Sequence, residues 1–192
     1  MFKSKTIKDF PGTLFLIVGN SGVGKDSIIS SVIKNYPPNL KKIIAPKRYI
    51  TRVASNTENN IEVDFKKFDQ MLNEGKFALS WKIYGLYYGI PIFIDDYLKK
   101  GNSVIVNASR NIVEKARIIY KNIKIILVKV PLDIIIKRLK ERGRESDEEL
   151  EKRIIRAKKN QNFPKADFII DNSRDLKYAT EQALNNIINN FN

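Results

Sequence analysis

The chain has 192 residues, 43% of them hydrophobic and 29% charged, with no cysteine and no histidine. That balance suits one folded domain of the larger kind and excludes a disordered tail or a membrane protein. The missing residue types exclude disulfides, thiol catalysis, Ser-His-Asp triads and Cys- or His-ligated metals, so any chemistry must use carboxylates, hydroxyls, Lys, Arg and backbone.

Lys3, Lys5 and Lys8 precede the apolar run Leu14–Val18, which is too short for a signal-peptide core and has no small-residue cleavage site after it. With no stretch approaching a bilayer span, the expectation is a cytoplasmic protein. Leu14–Val18 itself reads as a buried parallel strand. A helix is predicted over 26–36, stopped by Pro37 and Pro38. Between 48 and 89 the rhythm breaks: β-like pieces at 78–83 and 86–88 accompany a helical 65–73, with Gly75, Gly85 and Gly89 as punctuation, and an inserted lobe is the simplest reading. Strands over 103–106 and 124–130 follow, each leading into a helix, 111–121 and 133–142. The charged stretch 143–147 reads as a mobile loop or lid, 168–170 as a last strand and 176–191 as a closing helix. Strand–helix alternation of this kind predicts an α/β domain with a central parallel sheet.

Gly19-Asn20-Ser21-Gly22-Val23-Gly24-Lys25 follows the first strand and opens the first helix. In that context glycines let backbone N–H groups wrap phosphates, the helix N-terminus adds a favourable dipole, and Lys25 reaches the outer phosphates of a nucleotide. The residue after the Lys is usually a Ser or Thr that ligates Mg2+; here it is Asp26, followed by Ser27. A carboxylate can ligate Mg2+ directly or through water, and an acidic residue also suits the first turn of a helix for the dipole alone.

The formal charge of +14 arises from 35 Lys and Arg against 21 acidic residues, and only ten of the 35 are Arg. A basic balance favours anionic partners, and Arg is the better guide to them because its planar fork grips phosphate in two places. If the segment Arg48-Tyr49-Ile50-Thr51-Arg52 is extended, Arg48 and Arg52 share one face and could hold a phosphorylated acceptor; a solvated strand edge is the plainer alternative. Arg138, Arg142 and Arg144 sit at a helix end and across Gly143, while Arg153 and Arg156 fall on the next helix, read as opposite to Leu150, Ile154 and Ala157. Five of ten Arg within nineteen residues favour a lid that closes over phosphate and neutralises charge as a phosphoryl group leaves. Trp81, Tyr84, Tyr87 and Tyr88 cluster in the β-like segments. Packing is the natural reading for Trp81, whereas tyrosine hydroxyls can bond phosphate or sugar oxygens.

Taken together, the phosphate loop with Asp26-Ser27, the Arg48 to Arg52 segment, Glu58-Asn59, Ala78-Leu79-Ser80-Trp81, Gly85-Leu86-Tyr87-Tyr88-Gly89, Val106-Asn107-Ala108-Ser109-Arg110 and Arg142-Gly143-Arg144-Glu145 resemble the guanylate kinase-like P-loop kinases. Within that group the chain is most similar to the ribose 1,5-bisphosphate phosphokinases known from phosphonate-degradation operons. The resemblance implies a three-layer P-loop kinase fold forming a single domain, with a core at about 12–47 and 90–192, an acceptor-binding lobe at about 48–89 and a lid at about 138–153.

It also implies transfer of the ATP γ-phosphoryl to the 1-phosphate of ribose 1,5-bisphosphate, giving 5-phosphoribosyl 1-diphosphate. By matching position Gly19, Ser21, Gly22, Val23, Gly24, Lys25, Asp26 and Ser27 hold ATP, with Mg2+ at Asp26 and Ser27. Arg48, Arg52, Tyr87, Tyr88, Asn107, Ser109 and Arg110 hold the acceptor, and Arg138, Arg142 and Arg153 act with Lys25 on the transferring group. Guanylate kinases read guanine with carboxylates, and this chain has Ser80, Asn107 and Ser109 where those stand, with Arg110 beside them. Guanylate kinase is the rival enzyme. A non-catalytic guanylate kinase-like binding module is disfavoured by the intact Gly24-Lys25 pair, and no nucleic-acid recognition motif or membrane segment accompanies the positive charge.

Overall fold

The computed structural model describes residues 7–53, 60–83, 85–143 and 147–191, apart from the side chains at 142, 149 and 191. In chain order the first half comprises β1 (Leu14–Val18), α1 (Lys25–Asn35), β2 (Ile43–Ile44), β3 (Arg48–Ile50), β4 (Asn60–Glu62), α2 (Phe65–Asn73), β5 (Phe77–Ile83) and β6 (Leu86–Pro91). Then come α3 (Ile94–Lys99), β7 (Ser103–Asn107), α4 (Val113–Ile119), β8 (Ile123–Lys129), α5 (Leu132–Arg142), α6 (Asp147–Lys159), β9 (Phe168–Asp171) and α7 (Leu176–Ile188). A five-stranded parallel sheet has the order β2-β7-β1-β8-β9, and a second, four-stranded sheet has the order β4-β3-β6-β5. Every residue of β1 and β7 is buried. That is why β1 is an unbroken apolar run rather than an alternating one, and why β7 carries Val104, Ile105 and Val106 in succession between Ser103 and Asn107.

The chain divides into two compact units, residues 1–16 with 37–123 and residues 17–36 with 124–192. In the first, β5 and β6 pair antiparallel from Phe77↔Pro91 to Ile83↔Leu86, β3 pairs antiparallel with β6, and β4 runs parallel to β3. Asp64 caps α2 by accepting from the Lys67 N–H at 2.7 Å. The helix then lays Phe68 on Phe77, stacked at 4.6 Å between ring centroids. A Cβ at Gly89 would sit 2.5 Å from the Phe77 ring, so that ring occupies the room a larger residue would need. Elsewhere in this unit the buried Tyr120 hydroxyl donates to Asp95 at 2.6 Å, and Lys8 pairs with the same carboxylate. Burial, together with the Asp95 carboxylate, pushes the Tyr120 phenol well above its ordinary range.

In the second unit α1 packs on α7, α7 on β9 and α5 on α6. Its core is drawn from Ile28 and Val32 of α1, Ile125 to Val128 of β8, Leu139 of α5 and Ala179, Ala183 and Ile187 of α7. Asp175 caps α7 through the Tyr178 N–H at 2.8 Å.

Three sequence expectations are corrected. β3 ends at Ile50 and the chain bends at Thr51 and Arg52, so strand alternation does not carry Arg52 onto the face of Arg48. The helix expected over 111–121 begins as a 3-10 turn at Arg110–Ile112 and ends at Ile119. The closing helix stops at Ile188 and finishes in a 3-10 turn. Residues 144–146 of the expected loop, together with Glu58, Asn59 and Tyr84, lie outside the described residues. No helix among the described residues is long and apolar enough to cross a membrane.

Candidate active site

The phosphate loop connects β1 to α1. Gly22 and Gly24 both have φ of 83°, a left-handed conformation in which a side chain is strained. Gly24 directly precedes α1 and no side chain caps the helix there, so the first N–H groups of α1 are turned to the loop end. Lys25 folds its ammonium back over the loop, where Nζ donates to the carbonyls of Gly19 at 3.0 Å and Asn20 at 2.8 Å. Asp26 is half-buried in the first turn of α1, and Ser27 after it is exposed.

Two helices of the same unit meet this loop, α6 through hydrogen bonds and α5 through packing. Arg153 of α6 donates from Nη1 to the Ser21 hydroxyl at 2.8 Å. Asn20 Nδ2 donates in return to the α6 carbonyl of Ala157 at 3.3 Å and to that of Asn160, just past the helix, at 3.2 Å. Arg153 and Ala157 are one helical turn apart on the side of α6 that meets the loop, and both arginines expected on the face opposite Leu150, Ile154 and Ala157 are half-buried. The loop-facing side of α6 is therefore mixed apolar and cationic, which the simple division of its residues into two faces missed. From α5, Leu139 lies 3.3 Å from where a Cβ of Gly22 would be, and Arg138 Nη2 donates to the Asn172 carbonyl at 3.1 Å. Asn172, absent from the sequence reading, follows β9 and donates from Nδ2 to the Val23 carbonyl at 2.8 Å.

In the other unit the β3–β6 pairing arranges the remaining candidates. Arg48 is buried, with its Nη1 donating to the Asn107 carbonyl at 2.8 Å. Its guanidinium carbon stands 5.9 Å from the centroid of the Tyr88 ring. Tyr88 pairs with Ile50 on one side and Trp81 on the other, and its ring stacks on Trp81 at 5.4 Å with 3° between planes. Arg48, Tyr88 and Trp81 thus line one face of this sheet.

Tyr87 takes the other face, because successive strand residues alternate; its ring packs on Phe65 and Phe68 of α2, each at 5.6 Å. Thr51 is buried and doubly tied to Tyr87, its N–H donating to the Tyr87 carbonyl at 3.2 Å and its hydroxyl accepting from the Tyr87 N–H at 2.9 Å. That anchor fixes where the chain turns into Arg52, whose Nη1 donates to the Val53 carbonyl at 2.9 Å. Asn107 is buried at the end of β7. Ser109 caps the short turn that begins at Arg110, its hydroxyl accepting from the Asn111 N–H at 3.3 Å. The side chain of Arg142 and all of Arg144 lie outside the described residues.

Comparison with known proteins adds an independent line. The guanylate kinase family model matches residues 12–190. The chain is 35% identical to a ribose 1,5-bisphosphate phosphokinase of Rhodopseudomonas palustris over 147 residues, covering 77% of this chain and 75% of the relative. It is 34% identical to one of Psychromonas ingrahamii over 180 residues (92% and 91%) and 36% identical to one of Thiobacillus denitrificans over 172 residues (89% and 90%). Among solved structures, a guanylate kinase from Anaplasma phagocytophilum aligns with a TM-score of 0.67 at 17% identity, covering 95% of this chain and 87% of that one. At that identity the likeness is one of fold.

Proposed function

Because the chain belongs to the guanylate kinase family and, within it, to the ribose 1,5-bisphosphate phosphokinases, we propose that it transfers the γ-phosphoryl of ATP to the 1-phosphate of ribose 1,5-bisphosphate. An oxygen of the 1-phosphate forms the new bond to the γ-phosphorus, the bond to the β,γ-bridging oxygen breaks, and the products are 5-phosphoribosyl 1-diphosphate and ADP. The observation that carries this reading is the match to two ribose 1,5-bisphosphate phosphokinases at 34% and 36% identity along about nine tenths of the chain.

The donor is held by backbone N–H groups of the loop from Gly19 through Gly24, with the Ser21 hydroxyl beside them. Lys25, now bonded to the Gly19 and Asn20 carbonyls, exchanges those acceptors for the outer phosphates. The residues suit a Mg2+ ion carried in by the nucleotide. Among the described residues no group of three or more acidic side chains forms a cage, whereas Mg2+ typically takes one or two protein ligands and completes its shell with phosphate and water. Asp26 and Ser27 supply that protein share. Bound there, the ion neutralises phosphate charge. Arg138, Arg142 and Arg153, within a lid at about 138–153, stabilise the charge that spreads over the moving phosphoryl group.

The acceptor is held in a lobe at about 48–89 by Arg48, Arg52 and Tyr88, with Asn107, Ser109 and Arg110 at its edge. Tyr87 serves this lobe by packing its sheet on its helix, α2. The acceptor phosphate is already ionised near neutral pH, so the reaction needs no general base, in keeping with a chain that has no histidine. Neutral Ser80, Asn107 and Ser109 fit a sugar phosphate better than guanine, whose N1–H and 2-amino group call for strong acceptors. The partner is thus a small phosphorylated sugar in the cytoplasm.

The test is ATP- and Mg2+-dependent ADP release with ribose 1,5-bisphosphate and GMP run side by side. Strong turnover with the ribose bisphosphate and little with GMP is the expected result. Turnover with GMP alone overturns the acceptor assignment, and no turnover with either overturns the activity.

A further inference from the structure

We propose that Asn172 is a positioning residue of the phosphate loop, fixing the orientation of the Val23–Gly24 peptide and seating Arg138 from the same point; this rests on the ATP-binding reading above. Asn172 has 5% of its surface exposed and directly follows β9. Its Nδ2 donates to the Val23 carbonyl at 2.8 Å. A carbonyl oxygen can only accept, so the amide must present its nitrogen there and not Oδ1.

No cis peptide occurs among the described residues, and in a trans peptide the C=O and N–H point to opposite sides of the chain. Holding the Val23 oxygen towards Asn172 therefore turns the Gly24 N–H away from it, to the side on which a phosphate is received. A flipped peptide would offer the phosphate a carbonyl lone pair instead of a donor.

Further observations converge on the same residue. A Cβ on Gly24 would lie 2.5 Å from Asn172 Nδ2, so the amide fills the space a side chain would need. Glycine at 24 is required by this neighbour as well as by its φ of 83°. The backbone of Asn172 is itself anchored, its N–H donating to the Lys129 carbonyl of β8 at 3.0 Å. Its carbonyl in turn accepts from Arg138 Nη2 at 3.1 Å. One residue fixed to the sheet thus sets both a donor of the loop and a guanidinium of α5. The neighbouring Asp171 carboxylate is engaged locally, accepting from the N–H and the hydroxyl of Ser173 at 2.9 and 3.0 Å.

The experiment compares Asn172→Ala with Asn172→Asp by calorimetric titration with Mg-ADP and with a non-hydrolysable ATP analogue, alongside the KM of each substrate. Asn172→Asp keeps the shape but sets an acceptor against the Val23 carbonyl; Asn172→Ala only removes the donor. Nucleotide affinity should fall in the order wild type, Ala, Asp, with Ala about tenfold weaker and the acceptor KM unchanged in both. A packing role gives the reverse order, because Asp fills the site and Ala leaves a hole. Asn172→Asp binding nucleotide as well as wild type, or better than Asn172→Ala, overturns the proposal.

Gly24→Ala should cost less affinity in the Asn172→Ala background than alone, and an equal cost also overturns it. Should the variants fail to fold, the wild-type chain still decides. Its Asn172 side-chain amide protons should exchange slowly by NMR both free and with ADP bound, and fast exchange in either state refutes the clamp. Failure of the wild-type chain to bind any adenine nucleotide overturns the proposed function together with the clamp, whereas wild-type binding with the reversed order overturns the clamp alone.

Discussion

Arg48 offers the sharpest test of the acceptor assignment, because it is buried and its donor is already committed to the protein. Substituting Arg48→Met keeps the stem and removes the guanidinium that donates to the Asn107 carbonyl at 2.8 Å and stands 5.9 Å from the Tyr88 ring. A hydrogen bond from a charged donor is worth about 1.5–3 kcal/mol, and a cation–π contact near its outer distance adds about 0.5 kcal/mol. Removing a buried charge returns part of this, because the guanidinium no longer has to be desolvated. A net loss of about 1–2 kcal/mol corresponds to a Tm lower by about 2–8 °C for a chain of this size.

The catalytic consequence is larger. With the guanidinium also holding the acceptor phosphate as proposed, losing that fork costs about 1.5–3 kcal/mol of transition-state binding, about 10- to 150-fold in kcat/KM for ribose 1,5-bisphosphate. The KM for ATP should not move, since the phosphate loop belongs to the other unit. Arg48→Lys should fall between the two, keeping charge without the planar fork. The assay is coupled ADP release at saturating ATP with a titrated acceptor, accompanied by a thermal melt of each variant. An Arg48→Met chain that melts lower but retains the wild-type acceptor kcat/KM would show that Arg48 only braces the sheet against β7, and the reasoning would fail.

Lys25→Ala should abolish measurable turnover with any acceptor and, because it also removes the donor to the Gly19 and Asn20 carbonyls, should lower the melting midpoint as well; normal activity would displace the donor site altogether. Gly89→Ala places a Cβ 2.5 Å from the Phe77 ring, and such overpacking should cost about 1–3 kcal/mol, read as a lower midpoint in urea denaturation; an unchanged midpoint would mean that the sheet yields easily there. Tyr120→Phe removes a donor held at 2.6 Å from Asp95 and should cost about 1.5–3 kcal/mol with full kinase activity retained. The same tyrosine gives an alkaline signature, because the folded chain holds its phenolic proton to higher pH than the unfolded chain does. Its contribution is complete below the ordinary phenol range near 10 and is lost as pH rises above it. Denaturation between pH 8 and 11 should therefore show a steeper loss for wild type than for Tyr120→Phe, and parallel curves would refute that assignment.

How much of this was legible in the sequence depended on the distance over which each interaction acts. The phosphate loop is a contiguous pattern whose glycines are dictated by local φ, and α2 was read with the bounds it has, Phe65–Asn73, because its apolar positions repeat with helical spacing. The Arg48 to Arg52 segment was half legible. Its extended start follows from β-branched and aromatic residues, but the bend at Thr51 is imposed by two hydrogen bonds to Tyr87, 36 positions away. Asn172 was beyond reach. Its amide meets Val23 across 149 positions, and Asp171-Asn172-Ser173 on its own reads as ordinary turn chemistry. The one cue was its place just after a strand of a parallel sheet, the end at which such sheets bind ligands.

Tyr87 and Tyr88 show why residue type alone could not assign the acceptor site. Both are tyrosines of one strand, and either hydroxyl could bond a phosphate. Adjacent strand residues face opposite ways, so at most one of the pair can share a face with Arg48, and pairing decides which. Ile50 opposite Tyr88 puts that ring on the face of Arg48, and Trp81 opposite it on the other side holds it flat. Tyr87 is left to α2, where Phe65 and Phe68 take its ring. A slip of one residue in the β3–β6 register would exchange the two roles without changing a letter of the sequence. The two hydrogen bonds between Thr51 and Tyr87 oppose that slip, so the buried Thr51 helps decide which of the two tyrosines shares a face with Arg48.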